Sequence, residues 1–506
     1  MQLAEPSDNP THRRTSGAVT VAAIACLLIA VAGRLCFLAD PFRNDAGIYI
    51  YFGKVVWTGG RLYTDFWDTK LPSIGLLTAP LYAAFGNHWW AYVVFQMVLG
   101  IGSSLALALA VRRYVAEWAF APALLFGLLG INLSRLVITG FQLETIQVFF
   151  EIMAAVMVLR SLQRDDWSQI LLAGILVGLA TMPKPSGLAV GGAAVCAYLW
   201  EAKSRGVLRG LSRVAILGFG TALPILIVIV WVRHQPWHTE MPELFRQIKL
   251  YGTGTPWRRL LQLRAWVFLL LPFSPLIIRW IWVKVIPRDG EPGRPAAPVL
   301  VFAIAWSAAE VSAVILQKRM YSYHFLVIMP AAVLLFAVAR RTRLVPMLVA
   351  ISPIAITSIW GSIDVIRLNA GRPQPLPVST YVAEHTVPGD SIWGDPEARL
   401  LLETGRLPGS RLQMTFYLVN HDDAPAEFTK ILLGDFEQRK PKYIVLPPNW
   451  SGQVREIANN TVWMVWLPQR RAAYLKSCDE IESYIRHHYI KEQTVDGQDA
   501  WRRVGS

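Results

Sequence analysis

The chain has 506 residues, of which 54% are hydrophobic and only 17% charged. Soluble domains carry roughly a quarter charged residues, so this composition excludes an ordinary soluble globular protein. The formal net charge of +14 raises the question of an anionic partner, but the basic residues form no continuous face and argue against nucleic acid.

Apolar runs of roughly 20 residues are long enough to cross the hydrocarbon core as helices. About eleven such runs appear by that rule, near 18–39, 87–111, 116–134, 142–160, 168–182, 186–201, 211–232, 263–284, 297–316, 322–339 and 344–361. The fold class expected is therefore an α-helical polytopic membrane protein with a small α/β domain at its C-terminal end. Residues 1–17 form a cytoplasmic tail, 18–361 the transmembrane domain and 362–506 a domain outside the cytoplasm. With the N-terminus inside, the clusters Arg13-Arg14, Arg112-Arg113, Arg160/Arg164, Lys203–Arg213, Arg279/Lys284/Arg288 and Arg340–Arg343 all fall on the cytoplasmic side. That is the positive-inside pattern, and it accounts for the excess charge. The C-terminal domain is then periplasmic or extracellular, and the membrane is a bacterial inner membrane.

The first run has a basic flank and an Ala30-Val31-Ala32 segment like those of cleaved signal peptides. Its apolar stretch continues through Cys36-Phe37-Leu38, which fits an uncleaved anchor. The first outer loop, 40–86, follows. It is long, aromatic and charged in both signs, with Asp40, Lys54 and Asp65 beside the candidates treated below. Ile48, Phe52 and Val55 recur at i, i+4, i+7, and Gly59-Gly60 then stops the run, as glycine commonly does. The pattern predicts a short amphipathic helix lying in the interface plane, and residues 73–85 predict a second. Residues 168–201 read as two helices broken at Pro183-Lys184-Pro185, because a single helix would place the Lys203–Arg213 cluster outside. Segment 233–262, with Trp237 and Trp257, reads as a third surface element. From about 375 the chain alternates α and β patterns, with strands at 391–393 and 442–446 and helices at 396–404, 424–437 and 478–488. This tail carries no phosphate loop, GxGxxG or triad signature. The four cysteines form no disulfide framework or CxxC motif.

Asp45 follows the first span at the membrane face. It can serve as general base toward an acceptor hydroxyl, or cap the helix that begins near Ala46. Lys70, in FWDTKLP, can hold a phosphate as a point charge or snorkel to the headgroups. Arg61, Tyr63 and Asp68 are further candidates in the same loop, Asp68 being the one candidate for a divalent metal ion. Glu144 opens the fourth span on the same side as Asp45. Lys184 either neutralises a phosphate there or snorkels. Arg319, Tyr321, Tyr323 and His324 make either an anion grip or an interfacial aromatic anchor. Glu151 and Glu310 lie at bilayer depth, where charge costs on the order of 2.5–3.5 kcal/mol, and are expected to hydrogen-bond between helices.

An acid after the first span, an interfacial helix ending at GGRLYTDFWDTKLP, then LLAGILVGLATMPKPSG, QKRMYSYHFLVIMP, GDSIWGDPEARLLLETGRLPGSRL and KPKYIVLPP resemble the GT-C glycosyltransferases. That class includes the aminoarabinose–lipid A transferases and protein O-mannosyltransferases, which use polyprenyl-phosphate sugars. The resemblance covers most of the chain through the order and sidedness of its motifs. It implies Asp45 at the catalytic acidic position, Glu144 at the second, and Lys70 with Tyr321, Tyr323 and His324 around the lipid phosphate. Where many relatives have a second acid, Ala46 follows Asp45, and FWDTKLP matches the aminoarabinose pattern loosely, so the sugar is not inherited. The expected reaction inverts the sugar during transfer from a polyprenyl-phosphate donor to a lipid or glycan acceptor. The rival reading from another class is a transporter or flippase, which the depth of Glu151, Glu310 and Lys184 would suit. A third is a non-enzymatic assembly partner.

Overall fold

The structure is a computed structural model, and it describes residues 10–43, 45–164, 166–253, 263–285, 296–317, 321–339, 343–369, 374–394, 397–413, 424–450, 452–453, 456 and 468–505. The membrane part comprises α1 (Pro10–Leu35), α2 (Asp45–Trp57), α3 (Pro72–Phe85), α4 (Trp89–Tyr114), α5 (Phe120–Ile131), α6 (Leu143–Gln163), α7 (Trp167–Thr181), α8 (Leu188–Arg205), α9 (Val207–Arg233), α10 (Met241–Thr253), α11 (Leu263–Leu270), α12 (Ser274–Val285), α13 (Ala297–Leu316), α14 (Ile328–Ala339) and α15 (Leu344–Asn369). Each of the eleven apolar runs coincides with helix. Among the described residues, seven helices are long and apolar enough to cross a membrane: Gly17–Ala39, Trp89–Tyr114, Leu143–Gln163, Val207–Arg233, Ala297–Leu316, Ser322–Ala339 and Leu344–Asn369. The protein is a multi-pass membrane protein.

The other four runs are shorter or interrupted, and these interruptions, like the one inside Ser322–Ala339, have local causes. Pro272 opens a 3-10 turn, Leu271–Phe273, that separates α11 from α12. The run at 322 starts as a 3-10 helix, Ser322–Val327, before α14. Between α7 and α8 the chain breaks at Met182–Lys184, and Pro185 then opens the turn Pro185–Gly187. The two-helix reading of 168–201 therefore holds, since proline removes a helical donor and its ring crowds the preceding turn. Basic residues close α4 (Arg112, Arg113), α6 (Arg160) and α8 (Lys203, Arg205). The opposite ends of α4 and α6 meet the first loop, so the basic ends and the loop lie at opposite ends of the helix bundle.

α2 and α3 form where the loop pattern predicts them, but α2 is not a half-wet interfacial helix. Ala46 through Gly53 are buried, because α3 covers one side and the C-terminal domain the other. A Cβ at Gly47 would sit 2.7 Å from the Phe42 carbonyl oxygen and 3.4 Å from Ala398 Cβ; one at Gly53 would meet the Thr78 carbonyl at 2.6 Å. Only glycine allows both approaches.

The C-terminal part comprises α16 (Pro377–Glu384), β1 (Ser391–Gly394), α17 (Glu397–Thr404), β2 (Leu407–Pro408), α18 (Ala424–Arg439), β3 (Tyr443–Leu446), α19 (Pro468–His488), β4 (Tyr489–Val495) and β5 (Gln498–Arg503). The strands form one mixed sheet in the order β2-β1-β3-β5-β4. β1 runs parallel to β2 and β3, with Ile392 opposite Tyr443, while β5 is antiparallel to both β3 and β4. The β4–β5 hairpin turns on Asp496-Gly497, both with positive φ, as two-residue hairpins require. Helix α15 continues to Asn369, past the expected end of the membrane domain at 361. None of the described cysteines, Cys26, Cys36, Cys196 and Cys478, is in a disulfide.

Sequence reasoning passed over Arg34. It is 1% exposed, and its guanidinium donates to Asn132 Oδ1 (3.0 Å), Thr145 Oγ1 (3.1 Å) and the Ile131 carbonyl (2.9 Å). One side chain thus ties α1 to the end of α5 and the start of α6. Glu151 and Glu310 are fully buried. Each accepts one bond within its own helix, from Gln147 Nε2 (2.7 Å) and Trp306 Nε1 (3.1 Å) respectively. The expected interhelical bond comes instead through Gln147, which also donates to Ser186 Oγ at 3.0 Å.

Candidate functional site

Asp45 is the first residue of α2. One turn on, the Tyr49 hydroxyl donates to its Oδ2 at 3.2 Å, and Lys70 Nζ lies 3.5 Å from its Oδ1. The same ammonium is 3.6 Å from Asp68 Oδ1. Asp68 is 1% exposed, so Lys70 bridges a half-exposed carboxylate and a buried one. The lysine backbone is fixed as well, because the Tyr63 hydroxyl donates to its carbonyl at 2.7 Å. Tyr63 adopts φ +66° and packs edge-on against Trp237, with ring centroids 5.5 Å apart. Tyr63 therefore supports Lys70 through its main chain.

Glu144 stands in the first turn of α6, buried, and forms an ion pair with Lys184 at the α7–α8 break. Two helix segments forty residues apart deliver these opposite charges to one point. The Lys184 ammonium also lies 5.0 Å from the Tyr323 ring centroid. Tyr323 stacks on Tyr321 at 5.5 Å with 10° between planes, and His324 meets the Tyr323 ring edge-on at 4.5 Å. Tyr321, Tyr323 and His324 thus form one aromatic block against Lys184.

Tyr49 joins the two halves. Burial raises its hydroxyl pKa well above the ordinary tyrosine value, and the charges of Asp45, Glu144, Tyr323 and Asp68 add to that shift. The first loop, α6 and the segment before α14 therefore converge on this phenol, which stays a hydrogen-bond donor at any physiological pH. Nothing in the sequence pattern singled Tyr49 out beyond its position four residues after Asp45.

One described candidate falls away from the cluster. Arg61 pairs with Asp65 at 3.9 Å on the exposed surface, and its backbone N–H donates to the same carboxylate at 2.8 Å. It closes the loop. Arg319 lies outside the described residues. Among the described residues no group of three or more His, Cys, Asp and Glu side chains is placed to hold a metal ion. Asp68, the metal candidate, has an ammonium 3.6 Å away, which is a poor setting for a second cation. The described residues around Asp68 do not fit a metal ion.

A cavity of about 750 Å3 opens beside the charged cluster. Its near wall is Leu71, Pro72 and Ser73, directly after Lys70, with Met182 and Pro185 flanking Lys184. Ile225, Val228, Ile229 and Val232 of α9 and Met241, Pro242 and Phe245 of α10 complete a mostly apolar lining. Ser73 Oγ donates to the Met182 carbonyl at 2.6 Å, which joins the two walls at the polar end.

Residues 70–231 match the family model described as dolichyl-phosphate-mannose-protein mannosyltransferase. The structure is similar to ArnT from Cupriavidus metallidurans bound to undecaprenyl phosphate, with a TM-score of 0.56 at 14% identity over 97% of this chain and 99% of that one. The same protein in the apo state gives 0.55 at 15% identity, over 96% and 98% of the two chains. The chain shares the fold of ArnT, and its residues 70–231 match a mannosyltransferase family model. A more distant GT-C neighbour is the Archaeoglobus fulgidus oligosaccharyltransferase in complex with Zn and sulfate, at TM-score 0.50 and 14% identity, covering 89% of this chain and 70% of that one. No curated protein matches the sequence at a significant level. The fold likeness to ArnT covers 97% of this chain and so includes both the helical part and the C-terminal sheet domain.

Proposed function

We propose that the protein is an inverting glycosyltransferase that moves a sugar from a polyprenyl-phosphate donor to a hydroxyl of a cell-envelope lipid or glycan, on the outer face of a bacterial inner membrane. The observation that carries this reading is that the apolar cavity is walled by Leu71–Ser73 and by Met182 and Pro185, the chain segments that carry Lys70 and Lys184. A prenyl chain in that groove would run toward the segments that carry these two lysines, where a lipid-linked phosphate needs cations. That undecaprenyl phosphate is the lipid in the similar ArnT structure supports the same donor class.

The residues divide the work as follows. Lys70, Lys184 and the Tyr321–His324 block hold the phosphate. Lys70 also bonds Asp45 and Asp68, so a phosphate competes with Asp45 for it. As the ammonium turns to the phosphate, Asp45 keeps only the Tyr49 hydrogen bond and becomes a stronger base. Asp45 then takes the proton of the acceptor hydroxyl, whose oxygen attacks the anomeric carbon opposite the phosphate. The bond to the phosphate oxygen breaks, the sugar configuration inverts, and the lipid phosphate leaves as an anion. Fixed cations in a poorly hydrated site stabilise that developing charge. Glu144 holds Lys184 in place.

The test is transfer of radiolabelled sugar by the purified protein, with Asp45→Asn and Ile229→Trp as variants. Asp45→Asn is expected to abolish transfer with insertion intact. Ile229→Trp, which narrows the groove, is expected to raise KM for a long-chain donor and spare a short-chain one. Normal turnover by Asp45→Asn would refute the assignment.

A further inference from the structure

The C-terminal domain bears no catalytic signature, yet it grips the loop that carries Lys70. Arg439, the last residue of α18, donates from Nη2 to the Thr64 carbonyl at 2.7 Å and from Nη1 to the Asp65 carbonyl at 3.2 Å. The same Nη1 reaches the Pro408 carbonyl of β2 at 3.1 Å. One guanidinium therefore fastens the loop to both a helix and a strand of the tail. A second contact lies two residues further along. The Trp67 N–H donates to the Arg411 carbonyl at 2.8 Å, and Trp67 forms a parallel bridge with Leu412.

The gripping segment is itself rigid. Asp435, 3% exposed, accepts from Ser410 Oγ (2.9 Å) and from the Arg411 N–H (2.8 Å). Trp393 Nε1 of β1 donates to the Leu412 carbonyl at 2.7 Å. The loop is also tied within itself, by the Asp65 N–H to the Arg61 carbonyl and the Tyr63 N–H to the Phe66 carbonyl, each at 2.8 Å, and by the Tyr63 hydroxyl on the Lys70 carbonyl, so it moves as a unit with the tail that holds its Thr64–Trp67 edge. Asp68 and Lys70 follow Trp67 by one and three residues, so a shift at Trp67 passes to them along a chain whose steps are about 3.8 Å.

We infer that the C-terminal domain is an intramolecular clamp that sets the position of Lys70 and Asp68, with Arg439 as its positioning residue. The kinetic consequence rests on the donor-phosphate role proposed for Lys70; the mechanical one does not. A displacement near 1 Å at a reacting group costs about a hundredfold in rate, which is the scale expected when the clamp is released.

The experiment uses the full-length protein in nanodiscs and compares Arg439→Ala, Arg439→Lys and, as a control on an exposed face of the same helix, Lys430→Ala. Hydrogen exchange over residues 61–70 and transfer kinetics are read together. Arg439→Ala is expected to speed exchange in 61–70 and to lower kcat about a hundredfold, with the acceptor KM near that of the unaltered protein. Arg439→Lys, which keeps a cationic donor, is expected to recover part of both, and Lys430→Ala to change neither. If Arg439→Ala does not fold, Asp435→Asn loosens the Arg411 hold and is read in the same way. Unchanged exchange in 61–70, or a freed loop with normal kcat, overturns the clamp. Lack of transfer by the unaltered protein would instead sink the donor reading, while the exchange result still decides the clamp.

Discussion

Replacing Lys70 by methionine keeps the length of the side chain and removes the one ammonium between Asp45 and Asp68. At 3.5 Å and 3.6 Å, an effective dielectric near 20 gives roughly 5 kcal/mol of Coulomb attraction for each contact, before desolvation is subtracted. On the proposed mechanism, much of that is a ground-state interaction that a donor phosphate would replace. What counts for rate is the part felt by the leaving phosphate, typically about 3 kcal/mol for one lost contact, or roughly a hundredfold in kcat. The assay is initial-rate transfer from a labelled polyprenyl-phosphate sugar, with a thermal melt to verify folding. Lys70→Arg keeps the charge but spreads it over a planar fork, and is expected to fall between the two. If Lys70→Met turns over within about threefold of the unaltered enzyme, a difference under 1 kcal/mol, the phosphate is held elsewhere and the reasoning fails.

Tyr49→Phe removes the hydroxyl that Asp45 accepts from at 3.2 Å; kcat is expected to fall about tenfold, the scale of one hydrogen bond to a charged group, with insertion unaffected. Lys184→Met should destabilise the fold by about 3–5 kcal/mol, because it leaves the buried Glu144 charge alone, Glu144→Gln by less, because Lys184 is part-exposed, and the double variant should recover most of the Lys184→Met loss. Thermal melts decide this, and simple additivity in the double variant would count against a direct pair. In the C-terminal domain, the Tyr443 hydroxyl bond, aided by Tyr381 and Arg502, holds the Glu492 carboxyl below its usual range. Its stabilisation is full above the unfolded-state value of about 4.3 and is lost as pH falls through the lower folded-state value. The melting-point gap between the unaltered protein and Glu492→Gln should therefore close in acid; a gap independent of pH would contradict it.

The helices were legible because span length and sidedness are local properties. The break at Pro183–Pro185 could be read from proline chemistry and charge placement together. The burial of α2 could not, since the helix α17 that covers it comes more than 300 residues later, and periodicity records one face at a time. Asp45, Lys70 and Glu144 stood out as charges at the outer membrane face. Their pairing did not: Lys184 reaches Glu144 only after α6 and α7 have folded against each other. Tyr49 was hidden in an aromatic run, where one tyrosine looks like the next. The β4–β5 hairpin was missed although Asp496-Gly497 marks it, because the strands beside that turn are rich in charge and lack the apolar alternation expected of a strand.

The Glu144–Lys184 pair has a consequence for how the chain enters the bilayer. Synthesis proceeds from the N-terminus, so α6 emerges with Glu144 and Glu151 well before its counter-ion exists. Glu151 has Gln147 one turn away, but Glu144 must wait for the other side of a helical hairpin. The translocation machinery would then have to shelter α6 until α7 and the Pro185 turn arrive, and the three segments should pass into lipid as a single unit.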